Sequence, residues 1–185
     1  MYACRIQTNP ILKRAQIVTT ILGGLWLLYY AICGVSISDY NAARDHDVFL
    51  QNFQEEIYWL LEEPAKFDPE YMLRTRSPRK DNLYIGQLEI KVLRECGHFA
   101  GFVTFYKSTF RRGDIQFVAV NKNFRCKGYG RRLTQYAIDK LFAKGCDEVR
   151  ILTYLHNTPA RRIYTELGFK ETHRDEKFIY YVIRR

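Results

Sequence analysis

The five cysteines, Cys4, Cys33, Cys96, Cys126 and Cys146, are scattered and form no C-x-x-C pair. That spacing offers no zinc knuckle and no disulfide framework, so a reducing compartment is the simpler expectation for the folded part. The histidines, His46, His98, His156 and His173, are also far apart, and no metal is implied. No internal repeat or low-complexity tract is present. Acidic residues are in deficit, 20 against 29 Lys and Arg, which gives a formal net charge of +9 and points weakly to polyanionic partners. The 47% hydrophobic and 26% charged content argues against wholesale disorder, and 185 residues suffice for one core plus an appendage.

What the chain has in abundance comes first at its front. Between Arg14 and Asp39 no residue is charged, and a helix over residues 15–38, rising about 1.5 Å per residue, would cross a bilayer. We read a basic tail over 1–14 and a transmembrane helix over 15–38, against a cleaved signal peptide or a buried soluble helix as alternatives. Arg5, Lys13 and Arg14 precede the run and only Arg44 follows closely, a bias that places the N-terminus in the cytoplasm and exports the rest.

From Asp45 to Glu63 apolar residues recur at helical spacing, and 66–82 reads as a basic connector with a short helix at 70–74. Strand patterns follow at Leu88–Leu93, Phe99–Tyr106 and Asp114–Val120, the first two joined by a hairpin through Cys96-Gly97. A helix over Arg131–Lys144, a strand at Val149–Leu155, a short helix from Thr158 and two closing strands, Phe169–Thr172 and Phe178–Ile183, complete an α/β layered domain.

The chemistry concentrates in "NFRCKGYGRRL", residues 123–133. A strand, a glycine-rich turn and a helix start present unpaired N–H groups and a positive dipole end to an anion. Arg125, Lys127, Arg131 and Arg132 add cations, and no acidic residue occupies the first turn. The Gly-Lys-Ser/Thr of a P-loop and the third glycine of a dinucleotide fold are both missing. Downstream stands "NTPARRIYTELGF", residues 157–169.

Together the two stretches resemble the GNAT superfamily of N-acetyltransferases. Arg125, Gly128 and Gly130 match its acetyl-CoA loop, and Asn157, Ala160, Tyr164 and Leu167-Gly168-Phe169 match its later motif. The resemblance covers 83–185, and 39–82 is expected to supply the front of the catalytic domain, including the family's first strand. It implies a mixed, mostly antiparallel sheet flanked by helices, preceded here by the transmembrane-like helix. It also implies acetyl transfer from acetyl-CoA, without metal, to a primary amine on a small molecule or protein.

The cofactor is then expected on Val118, Ala119 and Val120, on Arg125, Cys126, Lys127, Gly128, Tyr129, Gly130 and Arg131, and on Asn157 and Ala160. By the same resemblance Tyr164 donates a proton to the leaving thiolate. Asp114 stands where many relatives place a glutamate base, with His98, His156 or a water chain as alternatives. Cys126 reads as a small loop residue open to oxidation rather than a nucleophile. No groove-reading helix or stacking motif supports nucleic acid as a partner; a non-catalytic acyl-CoA-binding scaffold at the membrane is the competing class. Since acetyl-CoA is cytoplasmic, the catalytic domain is expected there, against the charge bias.

Overall fold

The computed structural model describes residues 34–56 and 88–185. In chain order they form β1 (Val35–Asp39), α1 (Ala42–Glu56), β2 (Glu89–Glu95), β3 (His98–Lys107), β4 (Arg112–Val120), α2 (Tyr129–Ala143), β5 (Glu148–Tyr154), α3 (Thr158–Glu166), β6 (Lys170–Arg174) and β7 (Phe178–Arg184). A short 3-10 turn, Lys122–Phe124, leads from β4 toward α2. The strands make one sheet in the order β1-β2-β3-β4-β5-β7-β6. Among the described strands only β4 and β5 pair in parallel.

The sequence places the elements from β2 onward within a few residues of where they form. Cys96 and Gly97 close the β2–β3 hairpin with φ of 53° and 80°, two positive values in succession that match the right-handed twist of the strands. The front of the chain needs a correction. Val35–Asp39 is a strand, paired along its whole length with β2, so the C-terminal end of the uncharged run belongs to the sheet and not to a helix over 15–38. Its period-two pattern, Val35 and Ile37 toward the core and Ser36 and Ser38 between them, is hidden by the apolar residues before it. This is the first strand that the sequence analysis expected further on, after Asp39. Among the described residues no helix is long and apolar enough to cross a membrane. The rest of the uncharged run, the end of the first helix pattern and the basic connector with its short helix lie outside them.

Two cores sandwich the sheet. On one face α1 lays Phe49 and Phe53 on Phe102 and Ala119, with the Phe49 and Phe102 ring centroids 4.5 Å apart. On the other, Leu133, Ala137, Ile138 and Leu141 of α2 and Tyr164 of α3 cover Leu93, Val103, Ile115, Val149 and Ile151. Gly113 lets α2 approach β4, since a Cβ there would stand 2.6 Å from a Leu141 methyl.

α1 is also held to the sheet by charge. Arg94, 7% exposed, pairs with Asp45, 2% exposed, and donates to Ser38 Oγ at 2.8 Å. Arg44 Nε and the Asn41 N–H complete the Asp45 carboxylate, each at 2.9 Å. Burial alone would raise the Asp45 pKa, but the hydrogen bonds from Arg44, Arg94 and Asn41 outweigh it and hold the carboxyl at about 2. Asp45→Ala leaves Arg94 buried and unpaired, and a loss of about 3–5 kcal/mol is expected in denaturant unfolding; an unchanged midpoint contradicts the network. Because the folded pKa lies below the unfolded value near ~4, the stabilisation is complete above that pH and is lost as pH falls toward 2.

Candidate active site

β4 and β5 are in register only at Arg112↔Glu148, Gly113↔Val149 and Asp114↔Arg150. Beyond those pairs the two strands part. The cause is on the β3 side of β4, where the pairing steps from Phe105↔Ile115 to Thr104↔Phe117 and leaves Gln116 as an extra residue. Such a bulge bends the strand and increases its twist. Thr104, fully buried, fixes it by accepting the Phe117 N–H on Oγ1 at 3.0 Å.

Past the bulge β4 continues to Val120 along β3 alone. The N–H groups of Phe117 and Asn121 point to β3, the latter to Ala100 O at 3.0 Å. Strand alternation therefore turns the Val118 and Val120 N–H groups into the gap toward β5 and the Ala119 N–H away from it. Ala119, expected as a cofactor contact, instead packs its side chain against the α1 core. An extended ligand in the gap finds Val118 and Val120.

The gap opens onto the glycine-rich turn. Gly128 has φ of 78° and no side-chain cap covers the start of α2, whose first turn carries no acidic residue. Nothing lies within 4 Å of where a Gly128 Cβ would stand. Gly130 has a different role, for its Cβ would come 3.2 Å from Ile163 Cδ1 on α3, so that glycine lets the two helices meet.

The cations of this turn are not held in reserve for a ligand. Arg125 Nε donates to Val120 O at 3.3 Å, Lys127 Nζ pairs with Glu95 at 2.7 Å, Arg131 with Glu166 at 3.3 Å, and Arg132 donates to Val35 O at 3.0 Å. These contacts are solvent-exposed, so the ion pairs are worth about 0–1 kcal/mol and a phosphate competes for them. The fixed part of the anion site is its backbone. Glu95, which no sequence motif marks, also accepts from the Tyr129 hydroxyl, and burial together with that carboxylate pushes the Tyr129 pKa up to about 12. One carboxylate at the end of β2 thus anchors both Lys127 and the first residue of α2. No local sequence signal marks it, because its partners lie more than thirty residues away.

Cysteine spacing misled in the same way. Cys96 and Cys126 are both disulfide-bonded, contrary to the expected absence of a disulfide framework, and among the described residues Cys146 is a free, buried thiol. Peptide mapping with a thiol reagent before reduction is expected to label Cys146 after unfolding and to leave Cys96 and Cys126 unlabelled.

Asn157 caps α3, accepting the Ala160 N–H at 3.4 Å, and so sets the helix start beside the gap. Tyr164 is 6% exposed on that helix, its ring 5.8 Å from Phe169 and 5.7 Å from Tyr181. Burial, with Tyr181 as a lesser cause, raises its pKa well above the ordinary phenol value. Asp114 is not brought to it. Gly113 and Ile115 face the α2 core, so Asp114 between them faces the other side of the sheet, where Arg112 Nε lies 3.8 Å from its carboxylate. His98 is exposed beside the hairpin turn, and His156 is exposed just beyond β5, its ring 5.3 Å from Tyr154. Among the described residues no cluster of His, Cys, Asp or Glu forms a metal site. A groove of about 580 Å³ runs along α2 past Ile37, Arg132 and Tyr136 and shares Gly128 and Arg131 with the glycine-rich turn.

A sheet that parts between its fourth and fifth strands over an uncapped helix start has room for an extended ligand that ends in an anion. The profile of the acetyltransferase (GNAT) family matches residues 52–169, and the chain belongs to that family. The match begins inside α1, earlier than the motifs alone reach. Among curated proteins, N-alpha-acetyltransferase 30 of Xenopus laevis is 37% identical over 90 residues, 48% of this chain and 32% of that protein. The Dictyostelium discoideum protein of the same name is 33% identical over 99 residues, 51% of this chain and 52% of its own length. The chain therefore matches between a third and about half of these relatives' lengths. Among solved structures, the ribosomal-protein-S18-alanine N-acetyltransferase of Escherichia coli has a TM-score of 0.63 at 19% identity, covering 82% of this chain and 94% of that one. The PaiA N-acetyltransferase of Thermoplasma acidophilum, in complex with coenzyme A, gives 0.62 at 15% identity, covering 82% and 99%. These likenesses show the fold.

The backbone origin of the anion site has a direct test. Gly128→Ala forces a side chain onto a left-handed residue, at roughly 1–2 kcal/mol, and is expected to weaken CoA binding about tenfold by calorimetry. Arg131→Ala, which removes a cation already tied to Glu166, is expected to change it less than about threefold. The reverse order contradicts the assignment.

Proposed function

We propose that this chain transfers acetyl from acetyl-CoA to the α-amino group of a protein or peptide N-terminus. The observation that carries the reading is the gap between β4 and β5, with two inward N–H groups, ending at the open start of α2. The α-amino acceptor is favoured over other amines by the relatives that bear the name N-alpha-acetyltransferase 30.

In this reading the pyrophosphate rests on the N–H groups of residues 125–130, where the dipole of α2 favours negative charge. The pantetheine arm takes the place of a strand beside Val118 and Val120. A neutral amine attacks the thioester carbon; the C–N bond forms as the C–S bond breaks, and N–H groups lining the gap stabilise the charge that develops on the carbonyl oxygen. One proton leaves the amine and one reaches the thiolate. Tyr164, whose raised pKa keeps its proton at any working pH, suits donation and not the role of base. Asp114 lies on the other face of the sheet beside Arg112, away from the Tyr164 side. Exposed His156 or water then takes up the amine proton.

A membrane tether over residues 15–33 belongs to the same proposal, with the domain on the cytoplasmic side where acetyl-CoA is made available. The disulfide-bonded Cys96 and Cys126 favour a second arrangement, the exported domain that the charge bias indicates. Protease protection of a C-terminal tag in intact cells distinguishes the two.

The full chain, incubated with acetyl-CoA and a panel of free-N-terminal peptides, is expected to release CoA thiol only when an acceptor is present. CoA binding without acceptor-dependent thiol release supports the scaffold class instead. Tyr164→Phe is expected to lower kcat by about 10²-fold or more while leaving CoA affinity unchanged; parallel loss of both contradicts the proton-donor role.

A further inference from the structure

The sheet has two edges, β1 and β6, and they are guarded differently. β6 carries Lys170, Glu171, His173 and Arg174, all exposed, and a register shift between Glu171 and His173 interrupts its ladder. Charge and irregularity of that kind keep an edge from pairing with another chain. β1 has little of either. It follows β2 without a shift from Val35↔Glu95 to Asp39↔Lys91, and Asp39 is its one charged residue.

Which groups β1 leaves over follows from its ladder. The Tyr40 N–H donates to Ile90 O and the Cys96 N–H to Gly34 O, each at 3.1 Å, so Gly34, Ser36, Ser38 and Tyr40 turn their peptide groups to β2. Alternation turns those of Val35, Ile37 and Asp39 outward. Arg132 of α2 donates to Val35 O at 3.0 Å from that side. Among the described residues the Val35 N–H and the N–H and C=O of Ile37 have no hydrogen-bond partner. The groove along α2 lies beside them, between Ile37 and Arg132, Gln135, Tyr136 and Asp139.

Charge along this edge runs from cationic to anionic. Arg132 stands over Val35 at one end. At the other the Asp39 side chain, 82% exposed, has Lys91 on one oxygen and shares the α2 face of the strand with Val35 and Ile37. A two-fold axis beside Ile37 sets each end against its opposite: Val35 and its Arg132 come beside Asp39 of a second copy, and the half-buried Ile37 comes beside Ile37.

We propose that β1 pairs with β1 of a second copy of this chain, antiparallel about Ile37, joining two sheets across one self-complementary interface. The two Ile37 residues exchange N–H···O bonds. The Val35 N–H donates to Asp39 O of the second copy, and Val35 O, holding Arg132 on one lone pair, accepts the Asp39 N–H on the other. This register uses every outward peptide group of β1. The interface is three strands from the β4–β5 gap and does not depend on the acetyl-transfer reading.

Sedimentation equilibrium of the full chain in density-matched non-ionic detergent is expected to show a reversible dimer. Amide exchange is expected to be slow at Ile37 where the dimer forms and fast after dilution. Ile37→Pro removes an N–H that the β1–β2 ladder does not use, and Asp39→Arg sets cation against cation at an exposed position. Each is expected to raise the dimer Kd about tenfold or more. Asp39→Arg combined with Arg132→Asp is expected to return it to within about threefold of the unaltered chain, a rescue that a merely misfolded variant would not show. A monomer at every concentration overturns the interface, as does a dimer whose Kd is unchanged in both single variants. Slow exchange at Ile37 that does not respond to dilution overturns it as well, because the edge is then covered from within one chain.

Discussion

β4 and β5 share a ladder for three residue pairs and then separate at the bulge on Gln116, and every functional feature of the domain is arranged around that parting. A continuous parallel pair would satisfy the Val118 and Val120 N–H groups internally. The bulge costs sheet pairing, and Thr104 offsets part of that by taking the Phe117 N–H. The remainder leaves backbone donors directed into a gap, the position in which an extended ligand completes the ladder.

The surroundings hold that opening rather than fill it. α1 is fixed to one face by packed phenylalanines and by the buried Arg94–Asp45 pair, and α2 and α3 are fixed to the other, with Gly130 letting them touch. Glu95 ties the hairpin end of β2 to Lys127 and Tyr129, so the glycine-rich turn is set from the side by a carboxylate while its backbone faces outward. Charge in this turn is mostly spent inside the protein. The anion preference comes from N–H groups and the helix dipole, which do not depend on side chains finding a partner.

Much of this was legible along the chain where the determinants are local. The strand–turn–helix order, Gly128 at its left-handed position, Asn157 as a cap and Tyr164 on an inner helix face all follow from residues within a few positions of one another. The misreadings involve residues that meet only in the fold. Val35–Asp39 was absorbed into an apolar run because its partner, Lys91–Glu95, lies more than fifty residues on. The partners of Lys127 and Arg131, Glu95 and Glu166, are invisible to a local window, and the bulge needs the register of β3 against β4 to be seen. That Asp114 and Tyr164 lie on opposite faces of the sheet follows from strand alternation once β4 is placed. Cys96 and Cys126, both disulfide-bonded, stand in no local spacing that marks a disulfide framework.

Amide hydrogen exchange on the full chain, with and without CoA, measures the central claim most directly. The Val118 and Val120 amides are expected to exchange quickly in the free protein and to become protected when CoA binds, while the Ala119 amide, turned toward β3, is slow in both. Equal protection of all three without ligand, or no change at Val118 and Val120 on saturation with CoA, would contradict the gap between β4 and β5 as the donor site.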